Sequence, residues 1–217
     1  MKKDKGDDMA THKISDAVIR RLPGYYRYLR ELEKIGITRI SSQELGARMG
    51  LTASQIRQDI NCFGTLGQQG YGYNVAELRA EIGHILGIDS GHKIIVVGVG
   101  HLGHALLQNF DFDKVGFRID SAFDVYPALI GTEIRSVAVR SMDELEEYVA
   151  NYHPDVAVLT VPQSVAQPLA DRLIGLGVRG FWNFTNVELS TDEPGVFFED
   201  IHFVDTLLTL SYRISRQ

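Results

Sequence analysis

The run Lys93-Ile94-Ile95-Val96-Val97 passes directly into Gly98-Val99-Gly100-His101-Leu102-Gly103, and a helical pattern continues from Leu102 to Asn109. A strand, then G-x-G-x-x-G, then a helix is the order that a dinucleotide pyrophosphate requires. Gly98 makes the tight turn, Gly100 lets the backbone approach the phosphates, and Gly103 lets the helix lie close on the sheet. His101 and Leu102 open that helix, whose free amides and positive dipole end face the anion. Such a unit commits the second half of the chain to a doubly wound parallel sheet, because parallel strands are joined only by crossover helices. Phe117 to Phe123 reads as the next strand, and Asp124 stands 21 residues after Gly103, with Val125 beside it. A carboxylate there bonds the ribose 2′-OH and repels a 2′-phosphate, which favours NAD(H) over NADP(H). Asp120 suits that role less, because it falls inside the strand.

The rest of this half fits the same sheet. Ser141-Met142-Asp143-Glu144 caps a helix to Ala150, Asp155 to Val161 is a buried strand stopped by Pro162, and Ser164 to Gly175 returns as a helix. Val178 to Asn183 is another strand. Thr160, Val161 and Pro162, with Asn183 and Phe184, end neighbouring strands on the edge where the nicotinamide half would lie. They read equally well as ordinary strand ends.

Some ninety residues precede the fingerprint. Tyr25, Leu29 and Leu32, widened by Tyr28 and Ile35, mark an amphipathic helix that stops at Gly36. Ser41-Ser42-Gln43-Glu44 is a capping box opening a short helix, Gly50-Leu51 is a turn, and Thr52-Ala53-Ser54-Gln55 is a second capping box starting a helix to Cys62. Two short helices hinged by a glycine, with small Ala47 at their contact, make a helix-turn-helix. Its second helix would lie in a major groove with Thr52, Ser54, Gln55, Arg57 and Gln58 toward the bases and Ser42 on the preceding helix nearby. Gln bonds adenine bidentately and Arg bonds guanine or phosphate; a solvated polar face fits Gln55 and Gln58 nearly as well. Phe63 to Tyr73, with glycines at 64, 67, 70 and 72, reads as a two-stranded wing with Gln68 and Gln69 at its tip and Tyr71 flanking it. Val75 to Leu86 is a further helix, ending at Gly87.

Charge supports this division. Residues 1–85 hold 13 Lys and Arg against 10 Asp and Glu, whereas residues 86–217 hold 9 against 18, so the overall −6 conceals a front half at +3 and a rear half at −9. A front that meets phosphate and a rear that avoids it fit this split. The first residues are rich in Lys and Asp without an apolar signal region; residues 1–12 read as a disordered tail and the protein as cytoplasmic. No apolar run approaches the ~18 residues of a membrane span. The single Cys62 excludes an intrachain disulfide and a cysteine-rich zinc site, and reads as a small buried residue at a helix end. The seven histidines show no carboxylate partner at useful spacing, and the 125 residues from Lys93 onward leave no substrate domain beyond the nucleotide fold. The cofactor reads as a signal rather than a reagent. Phe203 to Arg213 is amphipathic through Val204, Leu207, Leu208 and Tyr212, a stripe expected to pack on a second copy.

From about Lys13 to Ile214 the chain resembles the Rex family of redox-sensing transcriptional repressors. The resemblance rests on TASQIRQDINCFGTLGQQGYGYNV (Thr52 to Val75), EIGHILG (Glu81 to Gly87), VVGVGHLG (Val96 to Gly103), FDVYP (Phe123 to Pro127) and LTVP (Leu159 to Pro162). It implies an α/β chain with a winged-helix DNA-binding domain at 13–88, a Rossmann NAD(H) domain at 89–200, and a C-terminal helix at 201–217 exchanged within a homodimer. It also implies a repressor that holds a palindromic double-stranded operator when apo or NAD+-bound and releases it on binding NADH. A sensing contact in the family joins an arginine of the first helix to an acid on the swapped helix. Arg27 matches the arginine; ungapped counting puts His202 at the acid, with Asp205 one turn on. Asn109 replaces a tyrosine of some members, and Gln58, Gln68 and Gln69 replace basic residues of some relatives, which points to a variant operator. Two other readings stay open: a small NAD-dependent oxidoreductase whose first domain oligomerises, and a DNA-binding regulator with a vestigial nucleotide site.

Overall fold

The computed structural model describes residues 14–64 and 71–216. The chain divides into two compact units, Met1–Asp89 and Ser90–Gln217. The tail read over residues 1–12 and the wing tip with Gln68 and Gln69 lie outside the described residues.

The first unit runs α1 (Asp16–Ile19), α2 (Leu22–Lys34), β1 (Arg39–Ile40), α3 (Ser42–Met49), α4 (Ala53–Asn61), β2 (Tyr73–Asn74) and α5 (Val75–Ile85). In α2 the buried residues Leu22, Tyr25, Leu29 and Leu32 recur at helical spacing and face a core made by Leu45, Ile56, Ile60, Val75, Leu78 and Ile82. Gly36, with φ +77°, follows the end of α2. The Ser41 capping box forms in both directions: the Glu44 amide donates to Ser41 Oγ at 3.1 Å, and the Ser41 amide to Glu44 Oε2 at 2.8 Å. Gly50 then closes α3 in the left-handed conformation at φ +68°.

Four readings need correction. Ala47 is exposed, and the close approach of the two helices falls on buried Gly46, where a Cβ would sit 2.6 Å from the Leu51 carbonyl oxygen. Thr52 makes only half a capping box. Its Oγ1 accepts the Gln55 amide at 3.1 Å, while the Gln55 side chain turns instead to Asp59. Cys62 is exposed rather than buried, because α4 ends at Asn61 and carries its last residue clear of the core. The ribbon is paired differently at its described end: Tyr73 and Asn74 lie antiparallel to Ile40 and Arg39, while Phe63 and Gly64 form a turn. Gly72 makes that crossing possible, since a Cβ there would meet the Ile40 carbonyl oxygen at 2.6 Å.

The second unit is a seven-stranded sheet. Its elements are β3 (His92–Val97), α6 (His101–Asn109), β4 (Phe117–Asp124), β5 (Glu133–Ile134), β6 (Val137–Ser141), α7 (Leu145–Tyr152), β7 (Val156–Leu159), α8 (Gln163–Gly175), β8 (Gly180–Asn183), β9 (Phe197–Asp200) and α9 (Phe203–Ile214). The order is β5-β6-β4-β3-β7-β8-β9, parallel except for the β5 edge. The strand order reverses between β3 and β7, and a crevice outside the carboxyl ends of the strands is where such sheets bind ligands. Along β3, Ile94 and Val96 join the apolar layer of Leu106, Leu107 and Phe112, whereas Ile95 and Val97 join that of Leu145, Val149, Leu169 and Leu173. Alternate residues thus bury on opposite faces, which is why a strand covered on both sides reads as an unbroken apolar run.

The β3–β4 register shifts between Ile94 and Ile95, leaving Asp120 as the extra residue on β4, where it pairs with Arg118 at 2.9 Å. Strands β5, β6 and β9 have no counterpart in the sequence reading. The buried strand expected over Asp155–Val161 is confined to Val156–Leu159, with Thr160 already in the turn that braces Gly98. Helix α9 has no buried residue; Val204, Leu207, Leu208 and Tyr212 are all more than half exposed. Among the described residues no helix is long and apolar enough to cross a membrane, and no group of His, Cys, Asp and Glu is arranged to hold a metal.

Candidate nucleotide site and nucleic-acid interface

At the carboxyl end of β3 the chain turns through Gly98 at φ +93°, a conformation costly to any residue with a Cβ. A side chain there would also meet the Thr160 carbonyl oxygen at 2.7 Å. Thr160 holds the turn from the neighbouring strand end: its hydroxyl donates to the Gly98 carbonyl at 2.6 Å. Gly103 is tighter still, since a Cβ would come 2.0 Å from Gly98 O. Gly100 is the opposite case. Among the described residues nothing lies within 4 Å of where its Cβ would point, and it is the N-cap of α6 with no side-chain cap. Two glycines therefore close the turn against the sheet and the third keeps its outer surface bare. The first amides of α6, from His101 to Gly103, precede its first i→i−4 bond, which His104 makes to Gly100. That is a cradle for a phosphate.

Asp124 sits at the end of β4 beside this turn. Its Oδ2 accepts the Val99 amide at 2.5 Å and its Oδ1 the Tyr126 amide at 2.8 Å, so the carboxylate is aimed by two backbone groups. Val125 and Tyr126 follow it, 78% and 61% exposed, leaving an apolar surface next to the carboxylate. The donor set and the bare glycine fit a dinucleotide. Across the switch point, Val161 is partly buried and Pro162 exposed. Asn183 is fully engaged inside the protein: its amide donates to the Val187 carbonyl and to Asp200 Oδ1, both at 2.6 Å, and its Oδ1 accepts from Thr185. It braces β8 rather than offering free polar atoms. Phe184 stacks edge-on with Trp182 and lies 6.0 Å from the Phe203 ring at the start of α9. His202 is the N-cap of that helix and Asp205 lies exposed in its first turn, where a carboxylate complements the helix dipole.

In the first unit, Thr52, Ser54, Arg57 and Gln58 are exposed along the start of α4. Arg57 Nη1 donates to Ser42 Oγ at 3.1 Å, tying the opening of α3 to the second helix. Tyr71 is 70% exposed, and its carbonyl accepts from Arg39 at 3.3 Å, with the guanidinium 6.0 Å from its ring. The sequence reading does not single out Arg39; its position two residues before the capping box carries no motif. Arg27 is exposed on α2.

The larger omission is Asp59. It is 1% exposed and accepts four hydrogen bonds: Arg21 Nε (2.7 Å) and Tyr25 Oη (2.6 Å) at Oδ2, and Arg21 Nη2 (2.8 Å) and Gln55 Nε2 (2.8 Å) at Oδ1. Burial pushes this carboxyl up, but the bonds from Arg21, Tyr25 and Gln55 outweigh it and hold it below the usual aspartate range. Burial together with the bond to Asp59 pushes the Tyr25 phenol well up. This network pins α4 to α2 through a bidentate arginine, a geometry fixed in direction as well as distance.

Comparison with known proteins separates the readings. Residues 13–61 match the family model described as "Putative DNA-binding protein N-terminus", and residues 89–187 match the CoA binding domain model. The chain is 48% identical over 204 residues to the redox-sensing transcriptional repressor Rex of Clostridium tetani, covering 94% of this chain and 96% of that one. It is 49% identical over 208 residues to that of Clostridium beijerinckii, covering 95% and 98%. Among solved structures, RSP in complex with NAD+ and operator DNA superposes with a TM-score of 0.87 at 46% identity, covering 94% of this chain and 93% of that one. RSP in complex with NADH gives 0.87 at 43% identity, covering 94% and 95%. These relatives are repressors and not oxidoreductases, and the resemblance runs through both units. The chain belongs to the Rex family of redox-sensing transcriptional repressors.

Proposed function

We infer that this protein is a cytoplasmic, homodimeric repressor that holds a palindromic operator when free or NAD+-bound and releases it when NADH binds. The observation that carries the reading is one chain with a capped helix-turn-helix and a bare glycine cradle, similar over 94% of its length to proteins solved with operator DNA, with NAD+ and with NADH. Gly98, Val99, Gly100, His101, Leu102 and Gly103 would hold the pyrophosphate, Asp124 the ribose beside Val125, and Thr160, Val161, Pro162 and Phe184 the nicotinamide side, with Asn183 bracing that edge. Ser42, Thr52, Ser54, Gln55, Arg57, Gln58 and Tyr71 would face DNA, with Gln68 and Gln69 on the wing.

The dimer rests on α9, whose apolar stripe of Val204, Leu207, Leu208 and Tyr212 has no cover among the described residues. A two-fold dimer presents two recognition helices to two half-sites, which is why a palindrome is the expected operator. Release follows if the reduced nicotinamide binds one dimer arrangement more tightly than another, because a ligand shifts an equilibrium only by its differential affinity. Arg27 pairing with Asp205 or His202 of the second copy would mark one of those arrangements. The test is anisotropy of a fluorescent palindromic duplex titrated with protein at fixed salt, alone, with NAD+ and with NADH. Binding that survives NAD+ and is lost with NADH is expected; equal binding under all three conditions would remove the redox response, and no specific binding would remove the repressor.

A further inference from the structure

The Asp59 network holds one side chain near the start of α4, that of Gln55, by a directed hydrogen bond. Asp59 accepts bonds at all four of its lone-pair positions, three of them from Arg21 and Tyr25 and the fourth from Gln55 Nε2. An ionised carboxylate only accepts. The two ends of the Gln55 amide are therefore not interchangeable: turned over, the amide would bring Oε1 against Oδ1, two acceptors with no proton between them. The positive charge that keeps Asp59 ionised belongs to Arg21, held bidentately 38 residues away in sequence. The nitrogen is anchored 2.8 Å from a carboxylate that is 1% exposed, drawn back toward the interior, whereas Gln55 itself is partly exposed near the start of α4.

We propose that Asp59 fixes the Gln55 amide with Oε1 outward, so that Gln55 reads an exocyclic amino group, adenine N6 or cytosine N4, as an acceptor. One N–H of that amide is held by Asp59, and a flipped amide, which would turn a donor instead of an acceptor to the base, is excluded. Gln55 is thus a specificity-determining residue and Asp59 its positioning residue. This rests on the DNA-reading function proposed above.

The experiment selects sites from a randomised palindromic duplex library with the full-length protein and with Gln55→Met, which keeps the side-chain length and leaves the buried Arg21–Asp59 pair in place. One position in each half-site should lose its preference in the variant, and the base there should be adenine or cytosine. Analogue duplexes then divide the contact. Removing the amino group (purine for adenine, pyrimidin-2-one for cytosine) should weaken wild-type binding about tenfold and leave Gln55→Met unaffected. A guanine or thymine at that position, or identical preferences for the two proteins, would overturn the assignment. Failure of both proteins to select any sequence would instead overturn the DNA-reading function, and this inference with it.

Discussion

The two units position their ligand-facing groups by opposite means. In the first, the second helix of the helix-turn-helix is held by a buried charge: Asp59 ties α4 to α2 through Arg21 and Tyr25. In the second, the phosphate turn is held by the lack of side chains, with Gly98 and Gly103 pressed against backbone and Thr160 bracing the turn from the next strand. A charged anchor is directional, and depends on ionisation and on every partner being present. A glycine anchor is indifferent to pH but tolerates no added atom. The single tryptophan, Trp182, lies on β8 of the second unit. Its fluorescence reports that unit alone, while far-UV circular dichroism reports both, so the two anchors can be broken separately.

The largest effect is expected from Gly103→Ala. The added Cβ lies 2.0 Å from a backbone oxygen, so α6 must move. Unfolding in urea followed at Trp182 should lose about 3 kcal/mol, and NADH affinity should fall by at least about a hundredfold; a normal NADH titration would show that close helix–sheet packing is not what shapes the cradle. Asp59→Ala comes next. It leaves the Arg21 guanidinium and the Tyr25 hydroxyl without their partner, at a cost of about 2–3 kcal/mol; the lower end of the range applies because the Arg21 side chain is 28% exposed. The loss should appear in circular dichroism with the Trp182 transition unmoved. A matching shift at Trp182 would mean that the two units do not unfold separately.

Acid supplies a third contrast. Because the folded pKa of Asp59 is depressed, its stabilisation is complete above the ordinary aspartate value, near about pH 4, and drains away as pH falls through the lower folded value. The helix-turn-helix should therefore lose stability below about pH 4, and Asp59→Asn should flatten that dependence. An unchanged acid limb in the variant would assign it to other carboxylates. The smallest effect belongs to Thr52→Ala, which removes the cap on α4 and should cost about 1 kcal/mol. Losing no stability would mean that Asp59, and not the cap, fixes where this helix begins.

What the sequence made legible follows from how local each signal is. The α2 stripe, the Ser41 box, the β3 run and the glycine spacing are all decided by neighbours within a few residues. Strand β5 escaped because it has two residues, and β6 and β9 because they are only partly buried: β6 buries Val137 and Val139 alone, and β9 is a half-exposed edge along Phe197 to Asp200. Asp59 escaped for a different reason. On α4 it reads as one more polar residue on a solvated face, and nothing near it in sequence shows that Arg21 will reach it. Ala47 and Gly46 were confused because both are small, and only the turn at Gly50 decides which one meets Leu51.

The order of apolar runs and glycines by itself determined a nucleotide fold behind a helix-turn-helix, because periodicity and backbone freedom are written residue by residue. Tertiary structure alone decided which polar groups are spent and which are free: Asn183 is consumed within β8, Asp124 is aimed by two amides, and the Gln55 amide is turned by a buried carboxylate. A hydrogen bond depends on partners that only folding brings within 3 Å, and no spacing along the chain encodes that meeting.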